Sequence, residues 1–214
     1  MIRIYPIYHR LLETYGPQGW WPAETPFEIV VGAILTQNTA WKNVEKAIEN
    51  LKRANCLTPE KILNCPEERL KELIRSVGFY NQKTERLKII SHFILDSGGI
   101  ERLRREPLHL LREKLLSLKG IGRETADSIL LYALDKPIFV VDAYTYRIFT
   151  RLGIWEGPFD YEGIRSLVEE EISTVPDLKE FHALLVEHAK RHCRKKPICE
   201  GCPLKEVCAW SAPS

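Results

Sequence analysis

The chain has 214 residues, enough for one compact domain or two small lobes whose buried core needs no disulfide staples. Its 31 Lys and Arg against 29 Asp and Glu leave a net charge of +2, so a long polybasic tail is excluded and any nucleic-acid role must come from local patches. With 44% hydrophobic and 28% charged residues it lies in the ordinary globular range, which excludes wholesale disorder. Almost every periodic segment has helical spacing, from Ile2, Tyr5, Tyr8, Leu11 and Leu12 onward, and the expected fold class is all-α. Helices are predicted over residues 2–15, 26–36, 41–54, 59–63, 67–76, 80–97, 107–117, 122–134, 143–152, 161–173 and 177–192. Capping chemistry agrees with these ends, as at Thr58-Pro59-Glu60, Gly98-Gly99 and Pro107. The one strand-like run, Ile138 to Val141, is too short to make a sheet by itself. The longest uncharged apolar stretch, Ile29 to Trp41, contains Thr36, Gln37, Asn38 and Thr39, so no segment is expected to span a bilayer. The opening residues lack a signal-peptide core, and the expected location is the cytoplasm.

Three local features carry chemistry. Cys193, Cys199, Cys202 and Cys208 crowd the C-terminus with spacing C-x5-C-x2-C-x5-C, where Pro197, Gly201 and Pro203 bend the chain so that four thiolates can converge. Such a set suits a [4Fe-4S] cluster better than structural zinc, which favours two short Cys pairs separated by a longer loop. Beside it Lys190, Arg191, Arg194, Lys195 and Lys196 form either a phosphate-facing patch or a solvated helix end. Cys56 and Cys65 lack a partner motif and read as buried small hydrophobes. The second feature is Lys119-Gly120-Ile121-Gly122-Arg123-Glu124, a glycine turn between two helices whose amides can receive a phosphate, or else an ordinary helical corner. The third is Asp142, a single carboxylate after Ile138-Phe139-Val140-Val141; taken alone, it is a helix N-cap.

Together, L-x-G-I-G-x-x-T-A, then V-D ahead of a helix, then the four-cysteine run resemble the helix-hairpin-helix DNA glycosylase superfamily typified by endonuclease III. The resemblance covers most of the chain. It implies a two-lobed α-helical fold, with a six-helix barrel over residues 24–135 and a second lobe from residues 1–23 and 136–214 that includes the cluster loop 193–208. It also implies that Asp142 is catalytic, offsetting positive charge on the sugar as the N-glycosidic bond breaks. Bifunctional members place a Lys just after the hairpin to attack C1′. This chain has Glu124 there, so a monofunctional enzyme without strong AP-lyase activity is expected. By the same resemblance Gln37 fills the gap left by an extruded base, and Phe79 wedges the partner strand, although a core aromatic is the ordinary reading of Phe79. Lys119, Gly120, Gly122 and Arg123 would contact DNA.

Trp20-Trp21-Pro22 and Trp41 place indole faces at expected pocket walls, and such faces favour flat cations such as N-alkylated purines; the plainer reading is that Trp20 and Trp21 anchor the N-terminal helix. W-W-P, L-T-Q-N-T, G-F-Y-N-Q-K, G-I-G-x-E and V-V-D-x-Y are similar to the bacterial 3-methyladenine glycosylase branch. That likeness implies an alkylated base held by Trp20, Trp21, Pro22 and Trp41, with Glu124 near the pocket. Members of that branch can lack the cluster cysteines, all four of which are present here, and the first interval is one residue shorter than the family's usual six. The expected function is release of alkylated purines such as 3-methyladenine from damaged double-stranded DNA by a monomer, leaving an abasic site for a downstream AP endonuclease. The alternatives are an endonuclease III-like enzyme for oxidised pyrimidines and a non-catalytic DNA-binding protein.

Overall fold

The computed structural model describes residues 3–211. These residues divide into two compact units, one formed by the described parts of residues 1–20 and 137–214, the other by residues 21–136. Among the described residues there is no strand, and no helix is long and apolar enough to cross a membrane.

In chain order the helices are α1 (Ile4–Tyr15), α2 (Pro26–Leu35), α3 (Trp41–Arg53), α4 (Pro59–Asn64), α5 (Glu67–Leu73), α6 (Tyr80–Asp96), α7 (Ile100–Leu103), α8 (Leu108–Ser117), α9 (Arg123–Ser128), α10 (Ala143–Leu152), α11 (Tyr161–Glu169) and α12 (Val175–Arg191). A 3₁₀ turn at Arg75–Val77 precedes α6, and α9 runs on into a π-helical turn at Ile129–Ala133. The expected start of the first helix at residue 2 lies outside the described residues. Sequence reasoning passed over α7, whose single turn is too short to show a period. It also ran the helix from residue 67 through 76, where the chain tightens into the 3₁₀ turn instead.

The unit of residues 21–136 is organised around α2, whose sequence PFEIVVGAIL is apolar on nearly every side and is buried on nearly every side. Thr25 caps it, its hydroxyl accepting the Glu28 amide hydrogen at 3.1 Å, with Pro26 pre-set at the first helical position. Helices α3 and α6 and the π-helical turn pack on it. Helices α8 and α9 flank the glycine turn and are joined by a two-pronged ion pair, Arg112 Nε to Asp127 Oδ1 at 2.7 Å and Nη2 to Oδ2 at 3.0 Å, with Asp127 fully buried. In the unit of the chain ends, α12 is the central helix and receives α1 and α10. Tyr8 donates to Asp177 at 2.9 Å, and Phe139, Phe149 and Phe181 form the aromatic centre of that core. Cys56 is buried and Cys65 half-buried; burial and the neighbouring Cys65 thiol push the Cys56 thiol up to about 12, so Cys56 is inert as a nucleophile.

Candidate functional site

Asp142 ends the extended run 138–141 and caps α10. Its Oδ1 accepts from the Thr145 amide at 2.7 Å and from the Thr145 hydroxyl at 2.9 Å. Its Oδ2 lies 3.6 Å from Nε2 of His182, on α12, and the carboxylate is 12% exposed. Burial works to raise its pKa, but the His182 ring and the two Thr145 groups outweigh it and hold the carboxyl below its ordinary value. The result is a desolvated negative charge. Sequence reasoning found Asp142 but missed His182 and Thr145. Thr145 could have been found, since it stands three residues after a capping carboxylate, whereas His182 is forty residues away and carries no motif.

In the other unit the glycine turn lies between α8 and α9. Gly120 has φ +82°, and a Cβ there would collide with the Arg86 side chain, so both conformation and space require glycine. Gly122 caps α9, and the Ala126 amide donates back to its carbonyl at 2.9 Å. Lys119, Gly120, Gly122, Arg123 and Glu124 are exposed. Lys119 pairs with Glu85 at 2.6 Å.

The two loops singled out from sequence differ in state. Gln37 is drawn to the hairpin: its Nε2 donates to the Gly120 carbonyl at 3.1 Å and to the Thr125 hydroxyl at 2.9 Å, while its Oε1 accepts from Arg86. Phe79 is no core residue. It is 62% exposed and sits in the left-handed region at φ +46°, a conformation that a bulky side chain rarely adopts.

Trp20, Trp21 and Trp41 are half-buried and Pro22 is exposed. Within the unit of residues 21–136, Trp21 meets Trp41 edge-on at 5.3 Å and 80°, and Tyr132 at 5.5 Å and 63°. A Cβ on Gly32 would lie 2.9 Å from the Trp21 ring, so the absence of a side chain on α2 is what seats that indole. Neither Tyr132 nor Gly32 was singled out from sequence, because a helical tyrosine or glycine carries no local sign of its partner. Trp20 belongs to the unit of the chain ends.

Cys193, Cys199, Cys202 and Cys208, all half-buried, line one cavity with Ile148, Leu152 and Leu204. Burial pushes the Cys202 thiol up, and the three other cysteines add to that against the Leu204 amide. Among the described residues no three His, Cys, Asp or Glu side chains stand close enough to share a single ion. The donor set, four thiols around one apolar hollow, fits a thiolate-bound cluster. Arg151 near the end of α10 ties the loop down, donating to Cys193 Sγ at 3.3 Å, to the Arg194 carbonyl at 2.6 Å and to the Lys195 carbonyl at 2.9 Å. Of the basic run, Arg191 pairs with Glu187 and Arg194 donates to the Lys190 carbonyl, while Lys190, Lys195 and Lys196 are exposed.

A family model described as HhH-GPD superfamily base excision DNA repair protein matches residues 31–173. A Methanocaldococcus jannaschii protein provisionally named a DNA repair glycosylase, MJ1434, is 54% identical over 96% of this chain and 95% of its own. Endonuclease III of Thermotoga maritima is 34% identical over 86% of this chain and 83% of its own. Among solved structures, H. pylori 3-methyladenine DNA glycosylase bound to 1,N6-ethenoadenine is 35% identical, with a TM-score of 0.78 over 89% of this chain and 98% of that one. A non-covalent endonuclease III–DNA complex, 22% identical, has a TM-score of 0.83 over 99% and 97% of the two chains and shares the fold.

Proposed function

This chain belongs to the HhH-GPD superfamily of base-excision DNA repair proteins and is a DNA N-glycosylase; we propose that it hydrolyses the bond between deoxyribose and an alkylated purine such as 3-methyladenine. The observation that carries the reading is Asp142, a carboxylate almost removed from water yet kept ionised by His182 and Thr145. As the glycosidic bond breaks, the sugar gains oxocarbenium character, and a fixed negative charge stabilises that state and orients the attacking water. Because an N-alkylated purine is already cationic, it leaves with little acid assistance, so one carboxylate suffices.

For the base, Trp21 and Trp41, set edge-on to each other, offer indole surface to a flat cation, and Trp20, Pro22 and Glu124 complete the set of base-contacting residues we assign. The 35% identity to the 3-methyladenine glycosylase supports this substrate class. For the duplex, the amides of Gly120 and Gly122 with Lys119 and Arg123 bind a backbone phosphate, Gln37 fills the space of the extruded base, and the exposed Phe79 wedges the opposite strand. Glu124 stands where a lyase would carry its amine, and a carboxylate forms no imine, so the enzyme is monofunctional. Cys193, Cys199, Cys202 and Cys208 would hold a [4Fe-4S] cluster, their spacing having one short Cys pair where structural zinc favours two. Such a group supplies a cross-link that orders the basic loop.

The test is base release from duplexes carrying 3-methyladenine, oxidised pyrimidines or mismatched thymine, followed by alkali to cleave abasic sites. Release of 3-methyladenine with strand breaks only after alkali is expected. Preferential release of an oxidised pyrimidine overturns the substrate class, and a borohydride-trapped protein–DNA adduct overturns the monofunctional assignment.

A further inference from the structure

Lys83 lies on the first turn of α6 and is 1% exposed, a place where a lysine is costly unless its ammonium is satisfied. Its Nζ donates to the carbonyl of Leu35 at 2.9 Å and to the carbonyl of Val77 at 2.9 Å. Leu35 is the last residue of α2, directly before Thr36-Gln37-Asn38; Val77 closes the 3₁₀ turn, directly before Gly78-Phe79. Carbonyls at helix ends have no partner within the helix and carry partial negative charge, so a cation there satisfies both ends at once. The Lys83 amide also donates to the Phe79 carbonyl at 3.0 Å, and one turn further along α6 Arg86 reaches the Gln37 side chain. Burial lowers the pKa of Lys83 to about 8, with Arg86 adding to the effect, which leaves the amine mainly protonated at neutral pH. An apolar side chain of similar length would avoid that desolvation but would leave two buried carbonyls unsatisfied.

We propose that Lys83 is a positioning residue that locks the loop after Leu35 to the loop after Val77, so that Gln37 and Phe79 enter the duplex as one rigid pair. This rests on the reading of those two residues as gap-filler and wedge. Neither loop can relax independently while one ammonium is shared between their anchoring carbonyls. The left-handed backbone at Asn38, φ +52°, and at Phe79 is held against such relaxation.

The test is a double-mutant cycle on the full chain, read by single-turnover base release and by fluorescence of 2-aminopurine placed beside the lesion. Lys83→Met is expected to lower the excision rate and the flipping signal about ten- to a hundredfold while affinity for undamaged DNA stays near wild type. In a Gln37→Ala/Phe79→Ala background the same substitution should cost less than about twofold, because its route of action is gone. If Lys83→Met does not fold, Lys83→Gln, which keeps a donor for one carbonyl, takes its place in the cycle. Folded Lys83 variants with wild-type flipping, or losses that multiply through the cycle, would overturn the proposal. Gln37→Ala and Phe79→Ala variants that excise normally would instead remove the underlying loop reading.

Discussion

Asp142 has been placed so that its charge survives burial, and this has a pH consequence. Its folded pKa is lowered, so the ionised form and the stability it contributes are present at neutral pH and are lost as pH falls through the folded pKa. The excision rate should therefore be flat above the ordinary carboxylate range and fall only in acid. His182→Gln should move that acid limb to higher pH, measured as the pH profile of single-turnover base release. Asp142→Asn keeps an N-cap-competent side chain, so the fold should persist while base release drops by at least about 10²–10³-fold. The pKa of Lys83 is lowered too, though here the shift disfavours the charged form. The unfolded chain binds its proton up to about 10.5 and the folded chain only to about 8, so stability rises with pH across that window, by about 3 kcal/mol at most. Urea midpoints taken from pH 8 to 10.5 should climb less in Lys83→Met than in wild type. Asp142 was legible in the sequence as a helix cap, because an apolar run ending in a carboxylate before a helix is a local signal, while its catalytic reading came from the family resemblance. Lys83 was not: in G-F-Y-N-Q-K it reads as a surface cation, and only the tertiary carbonyls of Leu35 and Val77 explain its burial.

At the scale of the element, Thr25-Pro26, Thr58-Pro59 and Asp142 each begin a helix where capping chemistry predicts, with hydroxyl or carboxylate accepting an amide hydrogen two to three residues inside. The hairpin was legible as a turn but not as a braced one. Its rigidity comes from the pair of Arg112 on α8 with the fully buried Asp127 on α9, fifteen residues apart and invisible to any motif. Asp127→Asn removes the fully buried charge that the half-buried Arg112 guanidinium faces and should destabilise the fold by about 3 kcal/mol by urea denaturation. The same logic explains the indole cluster. W-W-P marks a rigid corner, but the fit of Trp21 depends on Gly32, so Gly32→Ala should displace the ring and weaken binding of an alkylated base more than binding of undamaged duplex. Fluorescence titration of both ligands measures that difference.

For the whole molecule, one unit is continuous in sequence while the other is built from segments on either side of it, so its contacts join distant parts of the chain. The α1–α12 contact, fixed by Tyr8 with Asp177 and by Tyr15 with His188 at 2.8 Å, joins residues about 170 positions apart, and no periodicity in the sequence could announce it. With a net charge of +2, the proposed duplex affinity would rest on a few exposed cations, Lys119, Arg123, Lys190, Lys195 and Lys196 among them. Each phosphate neutralised contributes about −0.9 to the slope of log affinity against log salt, so a slope of about −3 to −5 is expected from binding isotherms at several salt concentrations. A slope near zero removes these residues as the contact surface.

One helix has two tasks, since α10 begins at the Asp142 cap and carries Arg151 in its last turn, where that guanidinium grips the cysteine-bearing loop and packs 5.2 Å from the Trp210 ring. A ten-residue rod about 15 Å long thus joins the carboxylate we propose to face the sugar to a distant clasp. Oxidative injury to the cysteines should be felt at the sugar as a loosened grip on the far end of that rod. The damaged protein would keep its helical signal yet turn over slowly, and because the same loop carries Lys195 and Lys196 its hold on DNA would slacken as well, which separates this failure from a lesion at Asp142 itself.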